Sequence, residues 1–212
     1  MSSRTRTILL IGATSGIGGA LARHFHNMDK KVMAVGRNKA GLAALPAIVT
    51  QILKDFRNLD TVFINGGMQK CYNLFDPSTT TADAIIAEIT TNLTAPNLLV
   101  QLFAPYLLAR AKSMLTSIIS ITSSSLAYAP LAFTRHTALQ RRGIHRRMKG
   151  GKDKAFPPLD LADYIDQFFA SLEQVAPDGS IKKEIGVGFG EMGAGLWRST
   201  FEKVYEETGL TV

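Results

Sequence analysis

The chain has 212 residues, 46% of them hydrophobic, a mean hydropathy of +0.08 and a formal net charge of +7. That is apolar material for one sizeable core. A single cysteine, Cys71, excludes a disulfide framework and a cysteine metal cluster, and it suits a reducing compartment such as the cytoplasm. The charge is local: residues 135–154 hold eight Lys/Arg against one acid, Asp153, and the other 192 residues carry 16 basic and 16 acidic groups. A local run of like charge reads as a solvated segment rather than a nucleic-acid footprint. No stretch approaches membrane-spanning length. The four histidines show no metal-ligand spacing. Nucleic acid, membrane and metal are therefore not expected as partners.

The first elements are a strand, a glycine turn and a helix in succession. Residues 7–11, Thr-Ile-Leu-Leu-Ile, form the short apolar run of a buried parallel strand. Gly12-Ala13-Thr14-Ser15-Gly16-Ile17-Gly18 follows, and residues 19–25 then place apolar side chains at helical spacing. Together they make the first half of a dinucleotide-binding βαβ unit. Gly12 serves the tight turn, Gly16 lets backbone approach a pyrophosphate, and Gly18 lets the helix pack close to the strand. The helix N-terminus adds N–H donors and a positive dipole end. The spacing Gly-x-x-x-Gly-x-Gly, with Ser15 and Ile17 where they stand, resembles the short-chain dehydrogenase/reductase family. The resemblance covers residues 6–134 well, with one gap, and 156–206 weakly. It implies a Rossmann-like α/β fold with a three-layer, doubly wound, mostly parallel sheet. It also implies NAD(P)(H)-dependent reduction of a carbonyl or oxidation of an alcohol on a small molecule. Gly12, Thr14, Ser15, Gly16, Ile17 and Gly18 would then bind the cofactor.

Residues 31–38 read as the second strand. An NAD site would place an acid near its end for the ribose 2′-OH. Arg37 stands there instead, and a guanidinium pairs with a 2′-phosphate, so NADPH is expected over NADH. The next strand-like run, residues 60–65, is followed by Gly66-Gly67. It resembles the family's Asn-Asn-Ala-Gly element, with Asn65 at the second Asn, Ile64 replacing the first and Gly66 replacing Ala. The resemblance puts Asn65 and Gly66 beside the nucleotide. Residues 38–60 hold one readable helix, at 48–56. The family's helix, strand and helix would need more than about thirty residues here. The third strand is therefore expected to be missing or reduced and the sheet truncated, with no counterpart to the acid that the resemblance places against adenine.

Residues 82–110 read as one long helix, in which Asn92 matches the family asparagine that holds a water near the active site. Residues 117–124 form the next strand and end in hydroxyls. Counting from Pro130, Ser124 aligns with the family's catalytic serine, which orients the substrate carbonyl. The family then carries Tyr-x-x-x-Lys, a proton donor and the lysine that lowers its pKa, on one helical face. The expected positions hold Thr137 and Arg141, and Tyr128 is followed four residues later by Ala132. Residues 137–142, Thr-Ala-Leu-Gln-Arg-Arg, are compatible with codons that, read one base earlier, encode Tyr-Ser-Ala-Thr-Lys-Ala. A frame shift or misplaced splice boundary is therefore a hypothesis for residues 135–142, which transcript sequencing tests.

Residues 143–154 are basic and show no apolar period. An amphipathic helix resumes at 160–169 with Asp160 as N-cap. Residues 185–189 read as a final strand and 196–205 as a closing helix with Gly209 after it. Trp197 and Phe201, four apart, read as packing partners. The chain is expected to form one domain over 1–212, with 135–154 irregular. Two functions stay open: an impaired NADP(H)-dependent oxidoreductase, and a catalytically inactive nucleotide-binding or scaffolding protein. The resemblance leaves a homo-oligomer open and identifies no substrate.

Overall fold

The computed structural model describes residues 5–36, 41–70, 76–124, 159–175, 182 and 184–209. They fall in two compact units, one from Ser3 to Thr122 and one from Ser123 to Val212. The first unit opens with β1 (Thr7–Ile11), α1 (Gly16–Asn27) and β2 (Lys31–Val35). A short 3-10 turn (Leu42–Ala44) leads into α2 (Leu45–Asp55) and then β3 (Thr61–Ile64). α3 (Ala82–Ile89), α4 (Ala95–Lys112) and β4 (Ile118–Ile121) complete it.

The four strands are parallel in the order β2-β1-β3-β4. The path from β1 to β2 moves one way along the sheet, and the path from β2 to β3 returns across β1. Right-handed crossovers that reverse direction must change face. The core shows that they do. Phe25 of α1 packs on Phe63 of β3, with ring centroids 5.8 Å apart. On the other face Leu9, Val62 and Ile64 pack with Val49 of α2 and Leu99, Phe103 and Leu107 of α4. Strand side chains alternate between faces, so Leu9 joins one core while Ile8 and Leu10 join the other. This is a three-layer doubly wound sheet, and β1 and β3 flank its topological switch point.

The short linker after β2 accounts for the truncation. Residues 41–60 hold one helix and no strand, and among the described residues β2 pairs with β1 alone. α2 carries Pro46 in its first turn, where a missing N–H is tolerated, and its apolar stripe packs on α4. It begins at Leu45, earlier than the expected 48, and Phe56 is its C-cap. The long helix expected over 82–110 is interrupted by a π-turn at Thr90–Thr94 and runs on to Lys112. Sequence periodicity does not register such an insertion, because a π-turn shifts the phase by a single residue.

The second unit contains α5 (Leu161–Glu173), α6 (Phe189–Trp197), a π-turn (Arg198–Glu202) and α7 (Lys203–Thr208). Asp160 caps α5 as expected, its carboxylate accepting from the Ala162 N–H at 2.8 Å. The strand expected at 185–189 is absent. Residues 187–191 turn instead, with Gly190 N–H donating to Val187 O and Glu191 N–H to Gly188 O, both at 3.1 Å. Gly188 has φ +58, and a side chain at Gly186 would collide with the Glu191 backbone. Alternating glycines leave a strand little to pack with. The closing helix accordingly begins at Phe189 rather than at 196. Gln167 Oε1 accepts from the Gly188 N–H at 3.2 Å, and Arg198 pairs with Glu184 at 3.2 Å. Trp197 and Phe201 do pack, with centroids 6.1 Å apart, and Gly209 follows α7 with φ +71. No described helix is long and apolar enough to cross a membrane.

The amino edge of the sheet is organised by one buried acid. Asp60 Oδ2 accepts from the N–H groups of Arg6 (2.8 Å) and Thr7 (2.9 Å), and Oδ1 from the Thr61 hydroxyl (2.7 Å). Its own N–H donates to Thr7 O and its carbonyl accepts from the Ile118 N–H. Asp60→Ala would leave these donors unpaired at a buried site, so a loss of about 3 kcal/mol is expected in denaturant unfolding. Asp55→Ala, at an exposed acid that accepts from Gln51, should stay within about 0.5 kcal/mol.

Candidate nucleotide site

The glycine turn lies at the carboxyl end of β1, and the Asn65-Gly66 segment lies at the carboxyl end of β3. In an open α/β sheet this switch-point crevice is where ligands bind. The N–H groups of Gly12 and Ala13 both donate to Val35 O, at 2.7 and 3.2 Å, which anchors the turn to β2. Gly12 has φ +86, and a Cβ there would lie 2.5 Å from Gly66 N. A Cβ on Gly18 would run into Gly12 O and sit 2.7 Å from Asn65 Nδ2. The two glycines are thus demanded by backbone contact with neighbouring segments.

Gly16 is different. Its φ is +56, and nothing lies within 4 Å of where a Cβ would stand. Thr14, Ser15 and Gly16 are exposed at the start of α1, and Ile17 is half-buried. The Ser15 side chain makes no capping bond, and no acid occupies the first turn. Neither an N-cap side chain nor a first-turn acid thus compensates the first N–H groups and dipole end of this helix, which suits an anion-binding turn. Thr14 packs against Gly36 just past β2, where a Cβ would meet its Cγ2 at 2.5 Å. Sequence reading overlooked Gly36, although a glycine directly after a strand was a visible signal.

The β3 side is held by side chains. Asn65 N–H continues the ladder to Ile11 O at 2.9 Å, and its Nδ2 donates to Gly12 O at 3.4 Å. Asn92 lies in the π-turn between α3 and α4. Its Oδ1 accepts from the Met68 N–H at 2.9 Å and its Nδ2 donates to Met68 O at 2.6 Å. Glu88 accepts from the Lys70 N–H at 3.1 Å. Asn92 therefore clamps the backbone that follows Gly66 and Gly67. Ser124 is exposed, three residues beyond the end of β4. Arg37, Tyr128, Thr137, Arg141 and the basic segment 135–154 lie outside the described residues.

No tyrosine of the chain has lysine four residues on: the residues four after Tyr72, Tyr106, Tyr128, Tyr164 and Tyr205 are Asp76, Arg110, Ala132, Phe168 and Gly209. Tyr106 and Arg110 sit near the end of α4, at the edge of the sheet away from the glycine turn. The Tyr106 hydroxyl donates to Arg57 O at 2.6 Å. Burial pushes the Tyr164 phenol above its ordinary pKa, opposite to the shift a proton donor needs. No group of three or more His, Cys, Asp or Glu among the described residues could hold a metal ion.

No family model matches the chain. It is 31% identical over 152 residues to the uncharacterized oxidoreductase DltE of Bacillus subtilis, over 62% of this chain and 58% of that protein. The chain thus spans less than two thirds of that relative's length. It superposes on a short-chain dehydrogenase from Streptomyces avermitilis with TM-score 0.63 and 13% identity, covering 96% and 95% of the two chains. The NADPH-bound carbonyl reductase from chicken fatty liver gives TM-score 0.58 at 17% identity, covering 84% of this chain and 98% of that one. A reductase from Brucella melitensis complexed with NADH gives 0.52 at 21%, covering 59% of each. This is the Rossmann fold of the short-chain dehydrogenases and reductases. Within the short-chain dehydrogenase fold, the glycine turn, the Asn65 segment and Ser124 each follow the carboxyl end of a strand.

Gly18→Ala should push α1 off the turn and destabilise the chain by roughly 1–3 kcal/mol. Gly19→Ala meets only ordinary contacts and gains helix propensity of up to about 1 kcal/mol. It should be neutral or stabilising in the same denaturation measurement.

Proposed function

We propose that this chain binds a nicotinamide dinucleotide, with NADP(H) preferred over NAD(H). We further propose that its reaction class is carbonyl reduction or alcohol oxidation on a small molecule, and that it turns over poorly. The observation that carries the reading is the open, positive-φ Gly16 at the start of α1, beside a switch point. The first N–H groups of α1 and the backbone around Thr14, Ser15, Gly16, Ile17 and Gly18 would hold the pyrophosphate. Arg37 would pair with a 2′-phosphate, and Asn65 and Gly66 would flank the nucleotide. The likeness to an oxidoreductase and to an NADPH-bound carbonyl reductase supports the class. The single cysteine supports a reducing, cytoplasmic setting.

A bound nicotinamide supplies or accepts a hydride. The chain's own share is to orient the substrate and move a proton. The Ser124 hydroxyl would donate to the substrate oxygen, and Asn92 would hold the loop that follows Gly67. The positions where the family carries its proton donor and lysine hold Thr137 and Arg141: threonine lacks acidity at neutral pH, and arginine keeps its proton. A positioned general acid contributes about a hundred- to ten-thousand-fold, so a deficit of that size is expected. The same loss favours the second reading, a catalytically inactive nucleotide-binding or scaffolding protein.

Fluorescence titration with NADPH and NADH, followed by turnover on a panel of carbonyls, tests the reading. NADPH should bind more tightly than NADH, and Arg37→Asp should remove the difference. Gly16→Val should abolish binding, because a branched side chain is strained at positive φ and obstructs the phosphate. Replacing residues 137–142 by Tyr-Ser-Ala-Thr-Lys-Ala should raise turnover by at least about a hundred-fold. Robust NADPH-dependent turnover by the unaltered chain would refute the impairment, and equal affinities for the two nucleotides would refute the preference.

A further inference from the structure

Three polar groups form a chain across the switch point. The Thr122 hydroxyl donates to Asn65 Oδ1 at 2.9 Å, and Asn65 Nδ2 donates to Gly12 O at 3.4 Å. The orientation of the Asn65 amide follows from its partners. Gly12 O can only accept, so the NH2 end faces it and the carbonyl end must face a donor, which Thr122 supplies. Backbone bonds place both ends: Asn65 N–H donates to Ile11 O, and Thr122 N–H donates to Ile64 O at 3.0 Å. A Cβ on Gly18 would meet Gly12 O and Asn65 Nδ2, so the helix that offers its N–H groups to a phosphate rests on this same pair.

We propose that Thr122 is a positioning residue for the glycine turn. Its hydroxyl locks the Asn65 amide, the amide holds the Gly12 carbonyl, and the φ +86 conformation of Gly12 is kept ready for the nucleotide. The inference rests on the nucleotide-binding reading above and adds to it a residue on β4's side of the crevice. Thr122 and its bond to Asn65 are exposed to solvent. Exposed hydrogen bonds contribute little to global stability, so the positioning role is separable from folding.

The test compares Thr122→Val, which keeps the shape and deletes the donor, with Thr122→Ser, which keeps the donor. NADPH titration and amide hydrogen exchange are measured on the whole chain. Thr122→Val should bind NADPH about three- to ten-fold more weakly, the effect of one lost hydrogen bond. In the nucleotide-free chain it should speed exchange at the Gly12 and Ala13 amides, leaving β1 and β3 protected. Thr122→Ser should match the unaltered chain in both. Unchanged affinity and exchange in Thr122→Val would overturn the proposal. So would a Thr122→Ser variant as impaired as Thr122→Val, or faster exchange spread over the whole sheet. If the unaltered chain binds no nucleotide, the proposed function fails, and exchange at Gly12 and Ala13 still decides whether Thr122 holds the turn.

Discussion

The carboxyl edge of the sheet depends on one close approach of backbone to backbone, where Gly12 lies against Asn65 and Gly66. A side chain on Gly12 would stand 2.5 Å from Gly66 N, closer than van der Waals contact permits. Because these segments touch, Gly18 can rest on the Gly12 carbonyl, and α1 begins directly after the turn with no acid in its own first turn. The direction in which that helix end presents its N–H groups is a consequence of this packing. A bulkier residue at any of the contact points would tilt the helix and misdirect its donors.

The opposite edge is held by a different kind of interaction. Asp60 receives three hydrogen bonds on its carboxylate and links β1 to β4 through its own backbone. A buried carboxylate is tolerable only when its oxygens are satisfied, and here the satisfaction comes from chain segments that must be in register. The acid thus specifies which residues begin the strands. The close approach of Gly12 to Gly66 specifies how they end. Between them, a sheet of four described strands keeps a defined register despite a linker too short for the strand the family carries after β2.

In the short-chain dehydrogenase design, nucleotide binding and proton transfer rest on different kinds of group. The two are physically independent. Phosphate recognition uses main-chain N–H groups, which survive as long as the turn folds. Proton transfer uses one tyrosine and one lysine side chain, which a local change of sequence deletes outright. Thr137 and Arg141 occupy the expected positions, and neither can donate a proton near neutrality. Tyr106, in the unit that holds the glycine turn, is bonded instead to Arg57 O.

The strand–turn–helix opening, the truncation after β2 and the Asp160 cap were all legible in sequence, because each depends on neighbours within a few residues. Glycine spacing, apolar runs and linker length are local quantities. What sequence could not decide involves segments far apart. The face taken by α2 follows from a reversal of direction across β1, visible only once strand order is known. Asn92 reads as a candidate active-site residue, but its partner, Met68, lies 24 positions away. The bond from Thr122 to Asn65 spans 57. The run at 185–189 reads as a strand, yet it has no strand partner among the described residues, and Gly188 at positive φ turns it into α6. A strand exists only through its partner, and an isolated apolar run carries no information about whether one will be there.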